Sequence, residues 1–434
     1  MTSLDRKIFV FDHILSWRTY KELGYLSEDY QKMGTPKIIL DGIKDYGNLH
    51  CNVLSIKKGK ISGWILSINA INYWFQKRDL SPSIATRMNL ILRTKKDNSA
   101  RSFFNPRGQI ALNFGKFLGR QKIVLPYLAL LLANLRLARE LGRAKPLQII
   151  YITTGGTNAN SDFLASWSER HASKLHVLYE NWDGIFTKPV HFNKRLALYV
   201  WGDQGKIEAI NIHGFDPSNV SRFGSPRINY LLENFQVTVK KSKYVFFAGG
   251  STDWNSEMAY LFYTARKFMN KVYYLPHPKR YGKFLESKSK IASRGVLFPL
   301  DFIEKLNLGS ELPPIELYSE IFSKTNCTIS PLSTLALESA LLGIPTIVLD
   351  EVIDLEQSHL KLSEAYGHLR DLKKFTNVRI VAEMDTFTKV LHEVNLQTSN
   401  NPATLQRMFQ SSNSEFSDIT KNLLECVRLT AQRD

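Results

Sequence analysis

The sequence predicts an α/β protein made of two parallel, helix-covered sheets. Three observations carry that reading. From Leu147 onward, short apolar runs alternate with stretches at helical spacing, the pattern of a parallel sheet with helical crossovers. The alternation restarts at Lys243–Phe247 (KYVFF), after a crossing segment at Asn229–Lys240, so a boundary near 235–242 divides two sheets. Several strands run into Gly, Ser, Thr or His, residues suited to the ligand crevice at the carboxyl ends of parallel strands. At 434 residues the chain is long enough for two cores. The expected domains are 1–238 and 239–434, with a last helix able to pack back on the first.

Taken in order, Arg6–Phe11 (RKIFVF) reads as the opening strand, with Asp12, His13 and Ser16 at its carboxyl end. Lys37–Leu40 is a second strand. Residues 50–120 show no clean period, because basic turns at Lys57–Lys60 and Lys95–Asn98 interrupt mixed apolar pieces. Leu128–Leu141 reads as one helix with Arg136 and Arg139 on its polar side. Gln148–Thr153 is a strand ending in Thr154, Gly155 and Gly156. Asp162–Ala172 is a helix, His176–Tyr179 and Leu196–Trp201 are strands, Lys206–Ile212 is a helix, and Ser221–Phe223 is a short strand. In the second half, Lys243–Phe247 leads into Ala248–Thr252 (AGGST), then a helix over Ser256–Met269. Lys271–Leu275 is a strand ending in Pro276, His277 and Pro278; Glu316–Ser323 is a helix, and Ser414–Gln432 a closing one.

Ser330–Asp350 (SPLSTLALESALLGIPTIVLD) holds a strand end, a turn, a helix and the next strand. Ser333 and Thr334 are N-cap residues for LALESALLG, Gly343 stops the helix, and Pro345 precedes the buried strand Thr346–Leu349. A helix start of this kind offers free backbone N–H groups and a positive dipole end, a site for phosphate. Glu338, about one turn inside, is placed to accept hydrogen bonds from a ribose diol.

Charge is concentrated. The chain carries 57 Lys and Arg against 40 Asp and Glu, net +17, while residues 51–150 alone hold 18 against 3, net +15. Trp64, Tyr73, Trp74, Phe75, Phe103 and Phe104 lie in the same stretch. Basic residues mixed with aromatics suit an anionic surface: phospholipid headgroups, an acidic glycan or nucleic acid. No recognised nucleic-acid motif is present, so a basic nucleic-acid-binding module is the non-enzymatic alternative and no nucleic-acid partner is expected. The longest apolar run, Ile123–Ala133, has 11 residues, short of the roughly 20 that span a bilayer. The segment MTSLDRKIFVFDH has no signal-peptide h-region, and Cys51, Cys327 and Cys426 form no CxxC pair or disulfide framework, which points to a reducing cytosol. The absence of Asp-x-Asp and HExxH spacing argues against metal chemistry, so no metal and no resident cofactor are expected.

Three candidate ligand loops stand at strand ends of the second half: AGGST with Gly249, Gly250 and Ser251; PHPK with His277, Pro278 and Lys279, followed by Arg280; and SPLST with Ser330, Ser333 and Thr334. The glycines permit close backbone approach, the hydroxyls and His277 offer donors, and Lys279 and Arg280 offer charge to a phosphate. In an open parallel sheet such ends converge.

His277-Pro278 followed by Ser330-x-x-Ser333-Thr334 resembles the HP and Ser/Thr motifs of bacterial sialyl- and Kdo-transferases, and a similar pair occurs in CDP-glycerol-type polymerases of cell-wall synthesis. The second half is similar to the nucleotide-binding half of GT-B transferases. The resemblance implies that His277, Pro278, Ser333 and Thr334 hold a nucleotide and its phosphate. Asn181-Trp182-Asp183, Trp201-Gly202-x-Gln204, His213-Gly214 and Gly224-Ser225-Pro226-Arg227 look like a pattern of surface-polysaccharide transferases of capsule and lipopolysaccharide synthesis. The resemblance covers roughly Ile149–Asp350 and leaves out 40–120. The paired-Glu motif of many sugar-nucleotide enzymes is half present: Glu338 matches its second Glu, and Ser330 stands in the place of the first. That departure disfavours a retaining hexosyltransferase and fits the HP-type families.

The implied fold is GT-B, two Rossmann-like domains facing a central cleft. The implied function is a metal-independent, inverting glycosyltransferase. It moves a sugar from a nucleotide donor, CMP-linked favoured, to a glycan or lipid-linked acceptor, and sits as a peripheral protein on the inner face of the cytoplasmic membrane. A UDP-sugar 2-epimerase-like enzyme and a CDP-glycerol-type glycerophosphotransferase are the enzymatic alternatives. Inverting transfer needs a base for the acceptor hydroxyl. Asp183 is the first candidate, with Asp162, Glu180 and Asp12 beside His13 as others; His277 is the expected catalytic group on the nucleotide side. Asp183 beside Gly184 also suits a turn, and Trp182 and Trp201 suit either sugar stacking or the core.

Overall fold

The computed structural model describes residues 7–12, 37–41, 53–56, 59–93, 106–155, 160–222, 224–234, 244–250, 254–277, 280–298, 315–350, 352–355 and 358–394. Described residues up to Pro226 form one compact unit, and those from Arg227 form the second. The expected boundary at 235–242 and the closing helix Ser414–Gln432 lie outside the described residues; of the expected crossing at Asn229–Lys240, residues up to Asn234 are described, and they are helical.

In the first unit, β1 (Lys7–Phe11), β2 (Lys37–Asp41) and β3 (Val53–Ile56) are followed, among the described residues, by five helices. These are α1 (Lys60–Lys77), α2 (Pro82–Arg93), α3 (Pro106–Arg120), α4 (Tyr127–Ala133) and α5 (Leu135–Ala144). The alternation then becomes regular: β4 (Gln148–Thr153), α6 (Ser161–Arg170), β5 (Lys174–Tyr179), α7 (Gly184–Thr187), β6 (Ala197–Val200), α8 (Asp203–Asn211) and β7 (Val220–Arg222). The strand order is β3-β2-β1-β4-β5-β6-β7, with every pairing parallel.

Helix α9 (Pro226–Asn234) leads into the second unit: β8 (Tyr244–Ala248), α10 (Trp254–Lys267), β9 (Val272–Leu275), α11 (Tyr281–Ala292), β10 (Val296–Leu297), α12 (Ile315–Ser323), β11 (Thr325–Pro331), α13 (Thr334–Leu341) and β12 (Thr346–Leu349). An antiparallel hairpin, β13 (Val352–Leu355) and β14 (Ser358–Lys361), precedes α14 (Leu362–Ala365), β15 (Val378–Val381) and α15 (Met384–Val394). The main sheet runs β10-β9-β8-β11-β12-β15, again all parallel. Each unit thus has the order 3-2-1-4-5-6 of a Rossmann sheet, extended by one edge strand in the first. The two parallel, helix-covered α/β sheets expected from the sequence are observed, one in each unit.

Burial on both faces explains the near-continuous apolar strands. Ile149–Ile152, Val245–Ala248 and Ile347–Val348 are buried without alternation. The first core gathers Val10, Tyr151, Val177 and Leu198 with Phe163 and Tyr73 from helices; the second gathers Phe247, Tyr274, Ile329 and Ile347 with Leu261 and Phe284.

Two expectations change. The single helix over Leu128–Leu141 is two helices, α4 and α5, divided at Asn134. Asn134 leaves helical geometry at φ −126°, and its buried amide donates to the Leu130 carbonyl at 2.8 Å. The described residues of the unreadable 50–120 stretch are mainly helical, and α1 packs closely along α3. The glycines that obscure a helical reading there are what permit the contact. A Cβ on Gly115 would meet Ile71 Cγ2 at 2.7 Å, and one on Gly119 would meet Phe75 Cβ at 2.4 Å. Helix propensity loses about 1 kcal/mol at each glycine, and close packing offsets it.

Overpacking this crossing should be costly. Gly119→Val should lower unfolding free energy by about 1–3 kcal/mol or more. Gly142→Ala, on α5 with nothing within 4 Å of the added Cβ, should be neutral or stabilising by up to about 1 kcal/mol. Urea midpoints of the two variants check the contrast.

Candidate functional site

The second sheet reverses direction between β8 and β11, and β9 lies on the other side of β8. The three loops singled out from the sequence therefore leave the carboxyl ends of three adjacent strands. In a parallel sheet that reversal is where a crevice opens. Within the loops, Ser251, Pro278 and Lys279 lie outside the described residues.

After β8, Gly249 and Gly250 are buried. A Cβ on Gly249 would meet Glu257 Oε1 at 2.7 Å and the His277 backbone nitrogen at 3.0 Å, so glycine lets the turn after β9 close over the end of β8. The Gly249 N–H donates to the Leu275 carbonyl at 2.7 Å, and the Gly250 N–H donates to Glu257 Oε2 at 2.7 Å. The Gly250 N–H is thus engaged by a buried carboxylate. Glu257, in the first turn of α10, also accepts the Tyr274 hydroxyl at 2.5 Å; burial, then the Glu257 charge, push the Tyr274 phenol up. Sequence reading passed over Glu257. Its signal was an acidic residue in the first turn of the helix after a Gly-Gly strand end.

His277 is partly buried just past β9, and its carbonyl accepts the Arg280 N–H at 2.8 Å. At the end of β11, buried Ser330 places its hydroxyl 2.7 Å from that of Ser333. Ser333 is extended at φ −153° and ψ 164°, and its hydroxyl accepts from the Ala336 N–H at 3.4 Å, the N-cap role expected of it. Thr334 opens α13, and Gly343, at φ +76°, follows its end.

Glu338, singled out for a ribose contact, is held by an arginine. It is 1% exposed, and both carboxylate oxygens accept from Arg227, Oε1 from Nε at 2.6 Å and Oε2 from the guanidinium NH2 at 3.3 Å. Arg227 also lies over the Tyr318 ring, 4.2 Å from its centroid. Two residues drawn from different sequence motifs are therefore one ion pair.

The first sheet has its own reversal between β1 and β4. Asp12 stands there, partly buried, accepting hydrogen bonds from the Tyr151 hydroxyl and from Thr153 Oγ1, the latter at 2.9 Å. The Tyr151 hydroxyl in turn accepts the Asn160 N–H at 3.0 Å. His13 and Gly156 lie outside the described residues. Gly155, at φ +64°, makes a tight turn against Tyr179, whose Cε1 an added Cβ would meet at 2.6 Å.

Asp183 stands before α7, where its Oδ2 accepts from Thr187 Oγ1 at 3.0 Å and pairs with Lys188 Nζ at 3.2 Å. Asp162 is buried, accepting from Asn69 Nδ2 at 2.8 Å and the Phe192 N–H at 2.7 Å, and burial pushes its carboxyl up. The Glu180 backbone N–H donates to the Thr153 carbonyl at 2.9 Å. Trp182 and Trp201 are buried in the core, and the Trp201 indole donates to the Tyr179 carbonyl at 2.9 Å.

Beneath α1 lies a polar cluster that the sequence did not announce. His213 Nε2 donates to the Ile185 carbonyl at 2.7 Å, so Nδ1 accepts the Tyr73 hydroxyl at 2.7 Å. Burial, then the charge of Lys194, push the His213 imidazole down to about 3. Burial also pulls Lys194 down to about 7, against the attraction of Asp162.

No protein-family description matches the chain, and no curated protein matches it by sequence. Several solved structures are similar to it. The UDP-GlcNAc 2-epimerase of Neisseria meningitidis, bound to UDP-GlcNAc, is 11% identical, over 99% of this chain and 100% of that one, with a TM-score of 0.48. The UDP-GlcNAc 2-epimerase of Methanocaldococcus jannaschii is 11% identical, over 94% of this chain and 99% of that one, with a TM-score of 0.48. The wall teichoic acid polymerase TagF, with CDPG, is 11% identical, over 99% of this chain and 88% of that one, with a TM-score of 0.46. Likenesses at this level carry no chemistry across, and the fold class rests on the two sheet orders above.

Arg227→Met should strand the buried Glu338 carboxylate and cost about 3–5 kcal/mol, most of it recovered in Arg227→Met/Glu338→Leu. A double-mutant cycle in urea checks this. A second expectation concerns pH. His213, neutral in the fold down to about 3 and protonated near 6.5 when unfolded, contributes stability that is full above 6.5 and lost as pH falls toward 3. Urea titrations at pH 7, 5 and 4 should show a shallower acid loss in His213→Gln than in the parent chain.

Proposed function

We propose that the chain is a GT-B nucleotide-sugar transferase that builds a bacterial surface glycan. The observation that carries the reading is the convergence of three ligand-type loops on the carboxyl ends of β9, β8 and β11, at the reversal of the second sheet. The start of α13, with Ser333 and Thr334, supplies oriented N–H groups and a dipole for the donor phosphates. His277 adds a hydrogen bond to the departing phosphate. Fixed donors of this kind do in the transition state what a metal ion does elsewhere, stabilising the charge that develops on the leaving group. Lys279, next along the loop, adds a positive charge. The HP and Ser/Thr pairing favours a CMP-linked donor.

The acceptor hydroxyl needs a base, and the first unit offers Asp12 for that role. Asp12 is oriented by two hydroxyls at the reversal of its sheet, whereas Asp183 is already engaged by the Lys188 ammonium and the Thr187 hydroxyl. Asp162 is tied between α1 and the Phe192 backbone. The buried Arg227–Glu338 pair fixes α13 to α9 and so holds the phosphate end in place. The acceptor is a glycan or a lipid-linked saccharide. The basic first unit keeps the enzyme at the anionic cytoplasmic face of the membrane.

A donor screen with the purified chain tests the reading. One of the CMP-, UDP- or CDP-linked donors should raise the melting temperature and be consumed only when an acceptor is supplied. His277→Ala should weaken nucleotide binding and turnover together. Asp12→Asn should leave nucleotide affinity unchanged and lower kcat by about 10²–10⁴. Failure of every donor to bind defeats the proposal, and epimerisation of UDP-HexNAc without acceptor would assign the chain to the epimerase class instead.

A further inference from the structure

Of the fifteen large apolar side chains exposed among the described residues, eleven lie between Ile61 and Leu135. This is the stretch of α1 to α5 that interrupts the first sheet between β3 and β4, and it is the stretch that carries the positive charge. The exposed residues are ordered. On α3, Ile110, Phe114 and Phe117 fall at i, i+4 and i+7, a single stripe, with Ile110 56% and Phe117 53% exposed. The opposite side of α3, with Ala111, Gly115, Leu118 and Gly119, is buried. On α4, Leu128 and Leu132 repeat the arrangement at i and i+4, Leu128 being 65% exposed, while Leu130 and Ala133 face the core. Gly115 lies at Ile71 and Gly119 at Phe75, so α3 runs alongside α1, whose Trp64 is also exposed. Each of these helices is two-sided, one side packed in the protein and the other apolar and uncovered.

Bases border the stripe. Arg120 and Lys122 follow Phe117 within five residues, and Arg136 and Arg139 follow Leu132; all four are exposed. Long basic side chains beside exposed Leu, Phe and Trp make the pattern of a helix lying in the headgroup layer, apolar side chains in the acyl boundary and charges on lipid phosphates. No helix among the described residues is long and apolar enough to cross a bilayer. A second copy of the chain is disfavoured as the occupant, because residues 51–150 net +15 and two such faces repel. Nucleic acid matches the charge but leaves Ile110, Leu128 and Leu132 without a partner.

We infer that α3 and α4 form a monotopic membrane-docking face that inserts Ile110, Phe114, Phe117, Leu128 and Leu132 into an anionic phospholipid leaflet. It deepens the proposed attachment to an anionic membrane, and adds that attachment is by insertion and not by charge alone. Insertion has a signature that charge alone lacks. At 1 M salt the Debye length falls to about 3 Å, so purely electrostatic binding is lost while buried apolar side chains hold.

Vesicle flotation with the full chain tests this independently of donor chemistry. Vesicles of phosphatidylcholine with 30% phosphatidylglycerol should carry the chain to the top of the gradient, and a substantial fraction should stay bound when salt is raised to 1 M. Phe114→Ser/Phe117→Ser/Leu128→Ser should reduce flotation at least tenfold, with an unchanged melting temperature and unchanged nucleotide affinity. Arg120→Glu/Lys122→Glu/Arg136→Glu should abolish capture by the anionic vesicles. Serine variants that float like the parent chain, or complete release at 1 M salt, would overturn insertion. So would a dimer that the serine variant dissolves, or tight capture of a nucleic-acid oligomer with no vesicle binding. Loss of nucleotide binding in the parent chain with flotation intact would defeat only the transferase reading.

Discussion

The constraint on which the candidate sites depend is the reversal of strand order within a parallel sheet. Each parallel connection must cross over, and crossovers keep one hand. When the order reverses, the connections of two adjacent central strands leave toward opposite faces, and their carboxyl ends stay uncovered. The reversal occurs between β1 and β4 in one unit and between β8 and β11 in the other. Asp12 and Thr153 sit at the first, and Gly249, Ser330 and Ser333 at the second. Their placement follows from topology before any side-chain chemistry is considered.

Buried polar groups keep those ends in shape. In the second unit the Ser339 hydroxyl donates to Thr328 Oγ1 at 2.7 Å and accepts from Thr346 Oγ1 at 2.9 Å, tying α13 to β11 and β12. Glu257 ties the strand end after β8 to Tyr274 of β9, Asp350 holds the Ser363 hydroxyl and N–H, and Glu338 holds Arg227. Each carboxylate is satisfied by donors, which offsets the cost of taking its charge out of water. The region is thus rigid on its inner side, and groups such as the Ser333 hydroxyl and the first turn of α13 are presented from a fixed base.

The first unit solves a second problem. Among the described residues, five helices stand between β3 and β4, far more than a crossover requires. Part of their surface covers the sheet, since Tyr73, Leu130, Leu137 and Leu141 belong to its core. The rest is the exposed apolar stripe with its border of bases. That division is visible within single helices: on α3, Gly115 and Gly119 face α1, and Phe114 and Phe117 face outward.

Local sequence determined the strands and their loops, because parallel strands buried on both faces are written as short apolar runs closed by small and polar residues. Lys7–Phe11, Gln148–Thr153, Tyr244–Ala248 and Thr346–Leu349 were legible for that reason, as were the Ser333 cap and the Gly343 stop. Tertiary structure alone decided the rest. Helices α1 and α3 were illegible, because glycines that weaken helical propensity are required by a close crossing whose partner is over 40 residues away. The break at Asn134 turns on a side-chain bond to a carbonyl one turn back. Glu338 and Arg227, 111 residues apart, carry no sequence sign of their pairing. A carboxylate reads the same whether it awaits a ligand or is already held, since what separates the two is a donor brought in from elsewhere in the chain.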